Sequence, residues 1–328
     1  MKVGVIGCGG MGTWHAHNLA AQPGVTVVAA ADAVPDAAQG VADALGAEVM
    51  DGMAICSSSD IDAVLIASSD DTHAQFAVAA IEAGKACFLE KPLGATLDQA
   101  QQVLDAEVAA GRRLTRVGFM RELDPAHVQV ADAVAALGQI TRVRCVHRNV
   151  DAAPRDVDLL FAQSLIHDIH TIRWLTGEEI RRVTVHVVPR DDGFRDILLV
   201  AELANGAIGT IDFEDRAFAY EVQVEVTAAG GMAATLPHPR AVVRTDASEQ
   251  LRVGTDWFAR FEEAYRIEIE EWCREVRAGM VDDGSFSGPT VWDGYAAQVV
   301  ARAGEVAIFS GAPADVDLPA RPDLYGSS

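Results

Sequence analysis

Gly7-Cys8-Gly9-Gly10-Met11-Gly12 has the G-x-G-x-x-G spacing, directly after the apolar run Val3–Ile6 and at the start of a helical stretch. In that context the first glycine permits a tight turn, the second lets the backbone approach a pyrophosphate, and the third lets helix and strand pack closely. The helix N-terminus then stabilises phosphates through its N–H groups. Asp32 ends the next apolar run, about 20 residues beyond Gly12, where a carboxylate accepts hydrogen bonds from an adenosine ribose. That carboxylate would repel a 2′-phosphate, and Asp32-Ala33-Val34-Pro35-Asp36 holds no Lys or Arg, so NAD is expected rather than NADP. The cofactor-binding set is Gly7, Gly9, Gly10, Met11, Gly12 and Asp32, joined by Ser69, His73, Glu90 and Lys91 from later strand ends.

Hydride chemistry on an alcohol needs two further groups: a base for the hydroxyl proton and a donor that orients the reacting oxygen. Lys91 follows the predicted strand Ala86–Leu89, at the carboxyl end where parallel sheets bind ligands. An ammonium there stabilises developing alkoxide charge. His167 is the candidate base. On a helix predicted over Leu159–Thr176, Gln163, His167, His170 and Trp174 form one stripe, and Phe161, Leu165, Ile169 and Ile172 form the opposite face. The run His167-Asp168-Ile169-His170 also raises metal ligation. Asp168 is turned about 100° from His167, and neither an H-E-x-x-H frame nor a cysteine supports it, so no metal is expected.

The elements that must carry these groups follow two grammars. Through residue 120, short strands (Val3–Ile6, Val25–Ala31, Ala63–Ala67, Ala86–Leu89) alternate with helices starting near Met11, Pro35, Thr72 and Thr96, with Gly46 and Gly84 as stops. This predicts an α/β, Rossmann-type dinucleotide-binding domain over 1–120. Residues 121–328 read as an α+β domain for substrate binding and oligomerisation. Its predicted elements are a helix (Pro125–Leu137), a strand (Ile140–Asn149), the histidine helix, and strands Val183–Val188, Ile197–Leu203, Ala207–Phe213 and Glu221–Ala228. These strands are expected to be consecutive and antiparallel in a large open sheet, joined by turns such as Asn205-Gly206. Helices over Phe258–Arg277 and Val291–Phe309 close the chain, and the end from Ala312 is expected to be a loose tail. An open sheet needs a cover, so homo-oligomerisation through it is expected.

Composition excludes several classes. With 26 Lys and Arg against 48 Asp and Glu, the net charge is −22, a field that repels nucleic acid and anionic membranes. Half the residues are hydrophobic, which supports a core, yet no apolar run approaches a membrane span. The five cysteines are scattered, without a C-x-x-C pair, which argues against disulfides and zinc and for a cytoplasmic setting.

Glu90-Lys91-Pro92, with the glycine turn and the two-domain layout, resembles the glucose-fructose oxidoreductase and inositol dehydrogenase (Gfo/Idh/MocA) family. Val117-Gly118-Phe119-Met120-Arg121, His147-Arg148-Asn149, Leu165-Ile166-His167-Asp168, and Ser287-Gly288-Pro289-Thr290 with Trp292-Asp293-Gly294-Tyr295 look like its myo-inositol 2-dehydrogenase branch, from Met1 to about Gly311. The resemblance implies NAD-linked oxidation of a ring hydroxyl, tetramer formation through the open sheet, a cis peptide before Pro92, and Lys91 and His167 as the catalytic pair. It also implies polyol binding by Arg121, Asn149 and Tyr220. Two positions depart from the family pattern: Gln163 and His170 stand where aspartates are expected. Gln163 orients the imidazole without stabilising its charge, and His170 faces substrate with a different hydrogen-bonding character. The expected substrate is therefore a cyclitol or another polyol, such as a pyranose or an aminocyclitol precursor. A non-catalytic NAD-binding sensor is the alternative from another class.

Overall fold

Runs such as Ala63–Ile66 and Ala86–Leu89 carry no polar side chain and bury every residue, the signature of strands covered on both faces. In the computed structural model, which describes all residues except 152, 237–240, 246–247, 253, 284–285 and 327–328, they belong to a six-stranded sheet. In chain order its elements are β1 (Lys2–Ile6), α1 (Gly10–Ala21), β2 (Thr26–Ala31), α2 (Pro35–Leu45), β3 (Glu48–Val49), α3 (Gly52–Ser57), β4 (Ala63–Ile66), α4 (Asp70–Glu82), β5 (Ala86–Leu89), α5 (Leu97–Ala110) and β6 (Thr115–Val117). All pairings are parallel and the order is β3-β2-β1-β4-β5-β6. The order reverses at β1, so the glycine turn after it sits at the switch point where such sheets bind ligands. Gly46 stops α2 in the left-handed region at φ 71°, as the sequence leads one to expect, and Thr96 with Gln99 forms a capping box on α5.

The remaining elements are α6 (Pro125–Ala135), β7 (Ile140–Val150), α7 (Val157–Leu160), a π-helical turn (Phe161–Leu165), α8 (Ile166–Thr176), β8 (Ile180–Pro189), β9 (Arg195–Leu203), β10 (Ile208–Glu214), β11 (Arg216–Ala228), β12 (Gly231–Ala234), β13 (Ala241–Thr245), β14 (Ser248–Arg252), α9 (Trp257–Arg277), α10 (Met280–Asp283), α11 (Val291–Ser310) and β15 (Ala314–Asp315). Two compact units result. The first holds Met1–Met120, Tyr265–Gln298 and Pro319–Ser328; the second holds Arg121–Ala264 and Val299–Leu318. The stretches 265–298 and 319–328, which sequence grammar places in the second domain, thus pack in the first unit.

Three sequence expectations need correction. In the second sheet β8, β9 and β10 are consecutive antiparallel neighbours as expected, but β11 does not continue the series: the order is β12-β11-β7-β10-β9-β8-β15, with β10 parallel to β7 and β11 antiparallel on β7's other side. β7 leaves the sheet at Val150 toward α7, so Asp215 alone carries the chain past its end. The predicted histidine helix is not uniformly α-helical, because the Ile166 N–H bonds back to the Phe161 carbonyl, five residues earlier. The tail is not loose: Ala314–Asp315 adds an edge strand to β8, and the Tyr325 hydroxyl donates to Glu107 at 2.7 Å.

Alternation along β7 and β10 sends Val143, Cys145, His147, Gly209, Ile211 and Phe213 to the packed face of the second sheet. Gly209 has a structural reason there: a Cβ would lie 2.9 Å from Ile172 of α8. The other face carries cross-strand ion pairs, among them Arg148 to Glu214 at 2.8 Å and to Glu221 at 3.3 Å, with Leu198 and Ile208 exposed between them. Among the described residues, no helix is long and apolar enough to cross a membrane.

Candidate active site

In the first unit, the glycine turn is tight and packs closely on its neighbours. Gly7 has φ +91°, and a Cβ there would meet the Ala67 and Ser68 backbone at 2.3 Å. A Cβ on Gly12 would lie 1.8 Å from the Gly7 carbonyl oxygen, so only glycine lets α1 start this close to β1. Gly9 and Gly10 face open space instead, the bare backbone a diphosphate requires. Met11 is half-buried in the first turn of α1. Asp32 accepts the Cys8 N–H at 2.6 Å on one oxygen and the Val34 N–H at 2.7 Å on the other. Each oxygen keeps a lone pair for a ribose hydroxyl, so these residues fit a dinucleotide. Burial, then the Asp32 charge, pushes the neighbouring Cys8 thiol up to about 11, which keeps it protonated and unreactive.

The end of β5 is held by a buried pair. Glu90 Oε1 lies 2.8 Å from His15 Nε2 of α1, and Glu90 Oε2 accepts the Lys91 N–H at 3.2 Å. Burial alone would raise the Glu90 carboxyl. The hydrogen bond and field of His15, followed by Lys91 and His73, outweigh it and hold the group below its usual value. Gly118 makes room, since a Cβ there would sit 2.9 Å from Glu90 Oε2. The Lys91-Pro92 peptide is cis. His73 is buried, with Nδ1 2.6 Å from the Pro92 carbonyl and Nε2 3.0 Å from that of Ser68. Ser69 occupies the N-cap position of α4 without a side-chain capping bond, and its hydroxyl lies 3.4 Å from that of Thr72.

In the second unit, His167 lies on α8 at 7 % exposure, one residue before a buried network. Asp168 accepts from Arg121 Nη1 at 2.6 Å and faces His147 Nδ1 at 2.6 Å. Despite burial, Arg121 and then His147 hold the Asp168 carboxyl down at about 2. His147 Nε2 reaches the Asn149 side chain at 3.1 Å, and Asn149 donates to Ser164 Oγ at 3.0 Å. Arg121 and Asn149, predicted to bind a polyol, are therefore largely committed to this network. Tyr220 stands edge-on to His147, ring centres 6.0 Å apart. His170 is buried with Nε2 2.7 Å from Glu122 Oε1, a carboxylate from a neighbouring segment. Gln163 sits exposed in the π turn, and its side-chain carbonyl oxygen accepts from Arg155 at 3.5 Å. Arg155 also pairs with Asp151 at 2.6 Å and with Asp215 at 3.3 Å.

Sequence reasoning missed His15, Glu122, His147 and Asp168 as functional neighbours. The period of two in β7 was the available signal for one of them, because it puts His147 on the same face as Asn149. His15 and Glu90 had none, being 75 residues apart. Among the described residues, no group of three or more His, Cys, Asp or Glu is arranged to hold a metal.

Residues 1–119 match an oxidoreductase family with an NAD-binding Rossmann fold, and residues 127–234 match a GFO/IDH/MocA C-terminal domain. The inositol 2-dehydrogenase of Rubrobacter xylanophilus is 39% identical, covering 99% of this chain and 96% of its own. The inositol 2-dehydrogenase/D-chiro-inositol 3-dehydrogenase of Shouchella clausii is 33% identical over 100% and 97%. The myo-inositol dehydrogenase of Lactobacillus casei, solved with NAD(H) and myo-inositol, superposes with TM-score 0.92 at 27% identity, covering 99% of each chain.

Proposed function

The chain belongs to the GFO/IDH/MocA family of oxidoreductases, and from that premise we propose that it oxidises a ring hydroxyl of an inositol-like cyclitol to the ketone, with NAD as cofactor. The observation that carries this reading is the full-length similarity to an inositol 2-dehydrogenase, across both the dinucleotide domain and the domain that follows it. Bound NAD supplies the hydride acceptor. The protein's part is to place the alcohol and to manage its proton.

Lys91, fixed at the end of β5, hydrogen-bonds the reacting oxygen and stabilises negative charge developing on it. His167 takes the hydroxyl proton as general base. Gln163 orients the imidazole by hydrogen bonding, without the electrostatic support a carboxylate would lend. Arg121, Asn149, His170 and Tyr220 complete the polyol site. Arg121 and Asn149 are engaged in the buried network around Asp168, which follows His167 on α8, so their part in the polyol site is to hold that network in place, with Tyr220 edge-on to His147 within it. The pairing of His170 with Glu122 favours a second reading, in which the preferred ring is a pyranose or an aminocyclitol precursor. As quaternary structure we propose a homotetramer through the outward face of the second sheet, and as setting the cytoplasm, consistent with five buried free thiols.

Initial rates with NAD across a panel of inositols and pyranoses test the substrate. Turnover of at least one inositol is expected; turnover of pyranoses alone rejects the cyclitol reading and selects the second. Lys91→Ala and His167→Ala should each lower kcat about a hundredfold or more, and for His167→Ala NAD binding, followed by fluorescence, should change little. A variant with parental kcat removes that residue from the mechanism.

A further inference from the structure

The turn from Lys91 to Gly94 has no ladder of its own to satisfy its backbone, and a reactive ammonium on it is only as well placed as the turn. Two side chains from distant helices do this work. His73 of α4, 1 % exposed, brings Nδ1 to 2.6 Å from the Pro92 carbonyl. Its Nε2 lies 3.0 Å from the Ser68 carbonyl; since both partners only accept, the ring donates to both turns at once only as imidazolium, and as neutral imidazole to one of them. Gln298 of α11 accepts the Leu93 N–H at 2.9 Å and donates to the Gly94 carbonyl at 2.8 Å, a two-point amide clasp. One helical turn before Gln298, Gly294 would place a Cβ 2.8 Å from Leu93, so its missing side chain is what lets α11 lie against the turn. All of these residues belong to the first unit.

We propose that His73 and Gln298 are positioning residues for the reaction, clasping the Lys91–Gly94 turn from two helices so that Lys91 is held at a fixed place beside the reacting oxygen. This rests on the reading of Lys91 as the group that touches that oxygen. A misplacement of about 1 Å in such a group costs on the order of a hundredfold in rate. The clasp therefore acts on the chemical step rather than on cofactor affinity.

Paired substitutions test it. His73→Asn keeps an amide donor near the Nδ1 position and hence the bond to Pro92, whereas His73→Gln extends the donor toward Ser68 and gives up Pro92. The Gln variant should fall about tenfold or more below the Asn variant in kcat, and Gln298→Leu, at a residue outside the cofactor-binding set, should fall about tenfold or more below the parent with its NAD dissociation constant within about twofold. A merely structural role would rank the variants by melting temperature instead. The proposal is overturned if His73→Gln and Gln298→Leu both keep parental kcat, or if kcat falls only in step with NAD binding. Should one variant fail to fold, the other decides. Lys91→Ala, measured alongside, separates the two layers: parental turnover there defeats the reading of Lys91 itself, whereas a dead Lys91→Ala with unaffected clasp variants defeats only the clasp.

Discussion

Asp32 shows how far a single residue can be read. Its carboxylate is already the acceptor for two backbone N–H groups, which fixes one oxygen on the glycine turn after β1 and the other on the bend that follows β2. Asp32→Ala should weaken NAD binding at least tenfold and narrow the preference over NADP, since it removes both the ribose acceptor and the charge that repels a 2′-phosphate. Titration of the two cofactors by fluorescence checks this, and an unchanged NAD affinity would deny Asp32 its role. The glycine turn and Asp32 were legible because their spacing is set by one local unit, strand, turn and helix. His15 with Glu90, or His147 with Asp168, was not legible, because each pair is made by the packing of separate elements.

For the elements, α8 and β7 are joined by the Asp168 carboxylate. Its folded value near 2 lies below the ordinary 3.8, so ionised Asp168 adds stability above about pH 4, and that contribution disappears as pH falls from about 4 to 2. The difference corresponds to about 2 kcal/mol. Asp168→Asn should flatten that acid limb in urea unfolding and lower stability at neutral pH by about 3 kcal/mol, because it leaves Arg121 buried without its counter-charge. Asp215, in the link between β10 and β11, behaves oppositely. Burial, then its contact with Asp151, raises it to about 6, so the folded chain holds a proton that the unfolded chain has lost, and stability falls as pH rises from about 4 to 6. Asp215→Asn should remove that fall; a persisting slope would place its origin in another group. The π turn escaped the sequence reading because Phe161–Leu165 has nothing in its residue types to distinguish it from an ordinary helical turn. The brief strands Glu48–Val49 and Thr115–Val117 are too short to show a period.

Across the whole molecule, alternation revealed which residues form strands, but neighbours in sequence need not be neighbours in a sheet, and the position of β7 between β10 and β11 had no local signature. The outward face of that sheet is where the tetramer is proposed. Ile208→Asp or Leu198→Asp, on residues 44% and 43% exposed, should lower the mass seen by light scattering without unfolding the chain. A parental mass for both would move the interface elsewhere. The same strand order governs how this half of the protein can be made. β10 and β11 are joined by one residue and yet cannot zip together, because β7, completed some sixty residues earlier, must lie between them. On a ribosome, β7 would emerge first and wait with both edges bare until residues 208–228 arrive. That interval is when an emerging chain is most open to mispairing with a neighbour, and it makes folding of this half slow relative to a sheet built from successive hairpins.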